Sequence, residues 1–315
     1  MAWLKGAFIG LLVAVDLILI ALLMRPGRGV ADAIISRSSA SVPPPTQTTT
    51  AISPTTSPTT SATASVPKPG TPTRLKSIVV ALDSKVAWRA TVGSCDRGGA
   101  KLESTSDGGA TWSTRDAPLD VVTRIQVTSA NEAFVVGARS DCRLVLIDTS
   151  DGGATWAPPQ VASGTWALSP KGTSTLLVPS GQTAEPCDGQ AAVDFSRGAT
   201  TDSAVVLCGT GMVRRTTDSG ARWSDVSEAT GAYAVSAGST GTQAYVAGAG
   251  EECAGVQLWS VTSSGPKALG CAKVPVKNVK PGAVALSVSG KSAWLLVRGE
   301  VWKSSDGLQT WKPAA

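Results

Sequence analysis

Four copies of one eight-residue pattern limit what this chain can fold into more than any other feature. They run Thr105-Ser-Asp-Gly-Gly-Ala-Thr-Trp112, Thr149-Ser-Asp-Gly-Gly-Ala-Thr-Trp156, Thr216-Thr-Asp-Ser-Gly-Ala-Arg-Trp223 and Ser304-Ser-Asp-Gly-Leu-Gln-Thr-Trp311. The chemistry is that of a tight hairpin loop. The carboxylates of Asp107, Asp151, Asp218 and Asp306 can accept bonds from nearby backbone N–H groups, beside Thr105, Thr149, Thr216 and Ser304. Gly109, Gly153 and Gly220 supply positive φ, and Trp112, Trp156, Trp223 and Trp311 can fold back to pack. Leu308 replaces the glycine in the last copy, which predicts a distorted loop there. A degenerate copy, Val261-Thr-Ser-Ser-Gly265, keeps only the glycine.

The spacing gives the architecture. Asp107 and Asp151 are 44 residues apart, and Asp218 and Asp306 are 88 apart with the degenerate copy between them. A period near 44 with short alternating strands predicts an all-β fold, a single β-propeller. Small-then-large pairs mark second strands: Ala87-Trp88, Ala133-Phe134, Ala204-Val205, Ala244-Tyr245 and Ala293-Trp294, with Thr175-Leu176 as a sixth. Each follows an apolar run suited to an inner strand (77–83, 123–129, 165–169, 191–197, 232–238, 283–289). This predicts six blades, the third lacking outer strands; five blades with 160–188 as an insertion is the alternative.

The pattern resembles the Asp-box, or bacterial neuraminidase repeat, of the sialidase-like propellers. In layout the chain is closest to the photosystem II stability/assembly-factor-like group, which is non-enzymatic. Such boxes sit on the outer rim and identify a fold rather than an activity. Sialidases also carry a Phe/Tyr-Arg-Ile-Pro motif; the nearest string here, Thr123-Arg124-Ile125-Gln126, follows the first box instead of preceding it. The chain contains no histidine, which removes histidine-based triads and the commonest metal ligand. No catalytic residue, metal or cofactor is expected. The alternative is a divergent sialidase-like glycosidase using Tyr233, with Arg89, Arg124 and Arg214 on a substrate carboxylate.

The first seventy-odd residues differ in character. Gly6–Met24 is nineteen residues with one charge, Asp16, and eleven Leu, Ile or Val, near the ~20 needed to span a bilayer. Asp16 costs about 2.5–3.5 kcal/mol at mid-membrane, which the apolar majority can offset. A signal-anchor at 6–24 after a short cytoplasmic 1–5 is the expectation, and cleavage near Ala31-Asp32-Ala33 the alternative. Residues 25–74 are rich in Ser, Thr and Pro and read as a disordered stalk, which leaves 75–315 as the propeller. Counting residues 1–74 gives six Lys or Arg against two acids, so the remaining 22 basic and 21 acidic residues nearly cancel within the overall +5. That balance offers nothing to nucleic acid.

Cys95, Cys142, Cys187, Cys208, Cys253 and Cys271 all fall in the propeller, and none forms a Cys-x-x-Cys pair. Disulfides in an oxidising compartment are expected, which places the propeller on the extracytoplasmic side of a cell membrane. If the boxes join third to fourth strands, all six cysteines map to the opposite face. Blade register then predicts Cys95–Cys142, Cys187–Cys208 and Cys253–Cys271. A rigid loop face of this kind is a candidate binding face for a protein or glycan partner, with Arg97, Arg139, Arg143, Glu251 and Glu252 as exposed candidates.

Overall fold

The computed structural model describes residues 70–314; the predicted anchor at 6–24 and the linker as far as residue 69 lie outside them. The described chain forms six antiparallel sheets in sequence order. Blade 1 has β1 (Ser77–Ala81), β2 (Ala87–Thr91), β3 (Lys101–Thr105) and β4 (Ser113–Arg115). Blade 2 has β5 (Val121–Val127), β6 (Ala133–Ala138), β7 (Leu144–Thr149) and β8 (Gln160–Val161). Blade 3 has only β9 (Ala167–Leu168), β10 (Leu176–Leu177) and β11 (Thr183–Ala184). Blade 4 has β12 (Ala192–Arg197), β13 (Ala204–Cys208), β14 (Met212–Thr216) and β15 (Ser224–Glu228). Blade 5 has β16 (Ala232–Ala237), β17 (Ala244–Gly248), β18 (Val256–Thr262) and β19 (Gly265–Ala272). Blade 6 has β20 (Val284–Ser289), β21 (Ser292–Val297), β22 (Glu300–Ser304) and β23 (Lys312–Pro313). The five-blade alternative is therefore set aside.

The apolar core lies between blades instead of at a single centre. One cluster joins blades 5, 6 and 1, and others fill the 1–2, 2–3, 3–4 and 4–5 seams. Each blade buries side chains on both sheet faces, so it can be stable only between two neighbours.

The repeat loops key these seams together. In the first, Thr105 Oγ1 donates to Asp107 (2.8 Å) and accepts from the Gly109 N–H (3.0 Å), while Asp107 accepts from the N–H (3.0 Å) and hydroxyl (2.6 Å) of Thr111. The Asp151 loop repeats this pattern, and Asp218 uses the Arg222 guanidinium in place of a hydroxyl. Each loop then leans on the preceding blade. Trp112, Trp156 and Trp223 meet Trp294, Trp88 and Trp166 edge to face at 6.0–6.2 Å between centroids. The glycine is required by that approach: a Cβ on Gly153 would sit 2.8 Å from the Trp88 ring, and its φ is 85°.

The last loop corrects an expectation. Leu308 adopts φ 71°, and the Ser304, Asp306 and Thr310 bonds all form at 2.6–3.1 Å, so the loop is not distorted. The preceding blade offers Tyr245 in place of a tryptophan, and Leu308 is buried in the same apolar cluster. The degenerate fifth copy folds as a two-residue hairpin turn, with Thr262 paired to Gly265.

Blade 3 corrects another. It keeps an outer strand, β11, and lacks its inner one. Trp166, at the start of β9, donates its indole N–H to Thr201 O in the first turn of blade 4 (2.8 Å). Trp294 on the second strand β21 does the same to Asp83 O of blade 1 (2.8 Å). In the loop that follows β9, Thr173 O accepts from Ala192 N at the start of β12 (2.7 Å). β9 therefore runs as second strands do, antiparallel to the inner strands, and no strand of the described residues pairs with it on its channel side.

If the aromatic keys hold the seams, Trp88→Ala should cost about 3–5 kcal/mol in denaturant unfolding. A cycle with Trp156→Ala should show coupling of about 0.5–1.5 kcal/mol. Additive losses would show that the two rings stabilise separate regions.

Candidate functional site

First turns and repeat loops share one face of the ring. Second-to-third-strand loops and blade-to-blade connections share the other, and all six cysteines lie there. They pair as the register predicts: Cys95–Cys142 across blades 1 and 2, Cys187–Cys208 at blade 4, and Cys253–Cys271 within blade 5. Sequence separations of 47, 21 and 18 residues give about 3–4 kcal/mol each on loop-closure grounds.

Arg97, Arg139 and Arg143 stand exposed around the Cys95–Cys142 bridge. Arg97 lies 3.9 Å from its neighbour Asp96, and Arg139 donates to Pro118 O (3.2 Å). Glu251 and Glu252 are exposed beside Cys253 in a shallow groove with Gln257 and Trp259. The basic group on blades 1 and 2 and the acidic group on blade 5 share a face but are separated by blade 6 on one side and blades 3 and 4 on the other. They do not form one site.

The residues of the glycosidase alternative also stand apart. Arg89 pairs with Glu103 on β3 (2.7 Å), and Arg214 pairs with Asp188 and Asp225 on an outer strand (2.8 and 2.7 Å). Tyr233 is fully buried, and its hydroxyl accepts from Gly70 N (2.9 Å).

The second concave feature is the central channel, a cavity of about 220 Å³ lined by inner strands. β5, β12 and β16 each carry a bulge at the same point, after Val122, Ala192 and Ala232. Bulges re-aim the residues that follow them. They turn Arg124 and Asp194, at equivalent positions, toward the next blade. The buried Arg124 guanidinium donates to Thr165 Oγ1 (2.7 Å), Trp166 O (3.0 Å) and Gln126 Oε1 (2.8 Å), and lies over the Phe134 ring at 5.3 Å. It occupies the space that the missing inner strand of blade 3 leaves. Burial, with the nearby Arg197 charge, pulls its pKa down to about 9.

Asp194 accepts from the Phe195 and Val235 N–H groups, each at 2.8 Å, and so ties blade 4 to blade 5. Burial outweighs those bonds and pushes its pKa up to about 7. Ser236 Oγ to Val288 N (3.0 Å) and Ser287 Oγ to Ala81 N (2.9 Å) make the same link at the next two seams.

Residues 70–74, read from sequence as stalk, pack on the propeller. Gly70 is held by Tyr233, and Lys76 N donates to Gly282 O (3.0 Å). The Arg74 guanidinium reaches Ser169 O (2.5 Å) and Gly172 O (2.8 Å) of blade 3. This strap lies across the disulfide end of the channel. At the repeat-loop end, Gln126, Arg197, Ala237 and Val288 are half-buried. The signal for the channel residues was present in the sequence: Arg124, Asp194 and Arg197 interrupt otherwise apolar inner-strand runs.

No protein-family model matches the chain, and no curated protein matches it. Among solved structures, YCF48 bound to a D1 peptide is similar at 20% identity over 79% of this chain and 83% of that one, with a TM-score of 0.30. A fucose-specific lectin from Aleuria aurantia is similar at 13% identity over 79% and 96%, TM-score 0.48. A GH74 xyloglucanase from Xanthomonas campestris is similar at 16% identity over 75% and 38%, TM-score 0.30.

Asp194 gives a pH prediction. Its folded pKa lies above the ordinary carboxyl value of about 4, so between these the folded state binds more protons than the unfolded one. Its contribution to stability is complete below about pH 4 and disappears as pH rises through about 7. Denaturant unfolding across that range should show a downward slope that Asp194→Asn flattens. An unchanged slope would show that Asp194 is ionised throughout.

Proposed function

We propose that this chain is a membrane-anchored, extracytoplasmic Asp-box propeller that binds a protein or glycan partner through its disulfide face and turns over nothing. The observation that carries the reading is the confinement of three disulfides to one face, with no free cysteine among the described residues. Such bonds persist in oxidising compartments. They also fix the loops that carry Arg97, Arg139 and Arg143, so little ordering entropy is lost when a partner docks. Exposed arginine beside rigid backbone suits acidic or hydroxyl-rich surfaces. The dispersal of Arg89, Arg124, Arg214 and Tyr233 supports a non-catalytic role.

Two measurements test this. Protease added to intact cells should release the propeller as a soluble domain by cutting the linker; protection until lysis would reverse the orientation. The double variant Arg97→Glu/Arg143→Glu should weaken capture of the partner while the melting temperature stays nearly constant, since exposed changes usually fall within about ±0.5 kcal/mol. Capture equal to wild type would remove the blade 1–2 loops from the site.

A further inference from the structure

The central channel carries more positive charge than the described residues around it neutralise. Arg74, Arg124 and Arg197 all line it, and Asp194 is the one carboxylate among its described lining residues. Both Asp194 oxygens are taken up by backbone N–H groups. Arg74 donates to two carbonyls, and Arg124 to a carbonyl, a hydroxyl and an amide oxygen, all of them neutral. These two have structural work: one ties the strap to blade 3 and the other fills the gap of its missing strand. Arg197 has none. Among the described residues its guanidinium has neither an ion pair nor a hydrogen bond, yet it lines the same cavity as Arg124 and repels it.

Like charges held together in a partly dehydrated cavity are unfavourable unless an anion enters. We propose that the channel is a binding site for a small oxyanion, a carboxylate- or phosphate-bearing molecule, held by Arg197 with Arg124 and Arg74 behind it. Volume sets the size. A cavity of about 220 Å³ accommodates a phosphate ion or a four-carbon dicarboxylate. Access is from the repeat-loop face, because the strap covers the disulfide end. The site is thus separate from the proposed docking face.

Titration calorimetry on the full-length protein in detergent, at fixed ionic strength, tests this with inorganic phosphate, succinate and choline. One of the two anions should bind saturably with one-to-one stoichiometry, and choline should not; which anion binds distinguishes phosphate-bearing from carboxylate-bearing ligands. Arg197→Gln should weaken that binding roughly tenfold or more, as expected for loss of a charge-assisted contact. Its ligand-free melting temperature should equal or exceed that of the wild type, because a repulsion is removed. Arg97→Glu/Arg143→Glu should bind the anion normally, whatever it does to partner capture. No saturable binding of either anion, equal binding of choline, undiminished binding by Arg197→Gln, or a lowered ligand-free melting temperature of that variant would each overturn the proposal.

Discussion

The structure depends on the seam between neighbouring blades. A three- or four-stranded sheet with both faces apolar has no stable existence alone in water, and sheets of this length fit together face to face only when each is flanked on both sides. The repeat loop answers this at one point. Its carboxylate closes the loop on itself, its first positive-φ residue donates to the first turn of its own blade (2.8–3.1 Å in all four copies), and its tryptophan reaches the blade before. One short segment therefore fixes a hairpin and its angle to a neighbour. Tryptophan at this position occurs only where a loop exists to meet it: Trp88, Trp166 and Trp294 precede blades 2, 4 and 1, which carry the pattern, whereas Phe134 and Val205 precede blades 3 and 5, which do not.

Blade 3 shows what the ring tolerates and how. Losing an inner strand removes a row of backbone partners and opens the channel wall. Arg124 and Arg74 restore part of what is lost by donating into carbonyls of blade 3 from a neighbouring blade and from the strap. Arginine suits the task, since its fork reaches several acceptors at once and its stem covers apolar surface. Leucine or lysine could supply one of those features but not both. The repair places fixed positive charge at the axis, a consequence of the missing strand rather than a separate design.

The blade count, strand order and disulfide pairing were legible because they follow from period and alternation, which a linear sequence records directly. The identity of the strand missing from blade 3 was not legible. The 29 residues from the Thr175-Leu176 pair to Ala204-Val205, against about 44 elsewhere, say that material is absent, but β9 is two residues long and its direction is set by Trp166 bonding to Thr201, a contact between blades. Leu308 misled for a related reason. The expectation of a distorted loop came from φ alone, whereas burial against a neighbour that lacks a tryptophan offsets the left-handed strain. Residues 70–74 were hidden by composition. Their Pro, Thr and Gly content matches the linker, and only the partners of Gly70 and Arg74 distinguish them.

The two faces of the ring are not equivalent, and the strap is the reason. Because Gly70 sits on Tyr233 and Arg74 on blade 3, the chain enters the propeller at the disulfide face and closes the channel there. A large partner at that face meets rigid loops, exposed arginines and the strap itself, all without access to the axis. A small solute at the opposite face meets an open mouth leading to Arg197. Under the two proposals, recognition of a macromolecule and of an anion would call on different residues: Arg97 and Arg143 lie outside the channel lining, and Arg197 lies outside the disulfide loops.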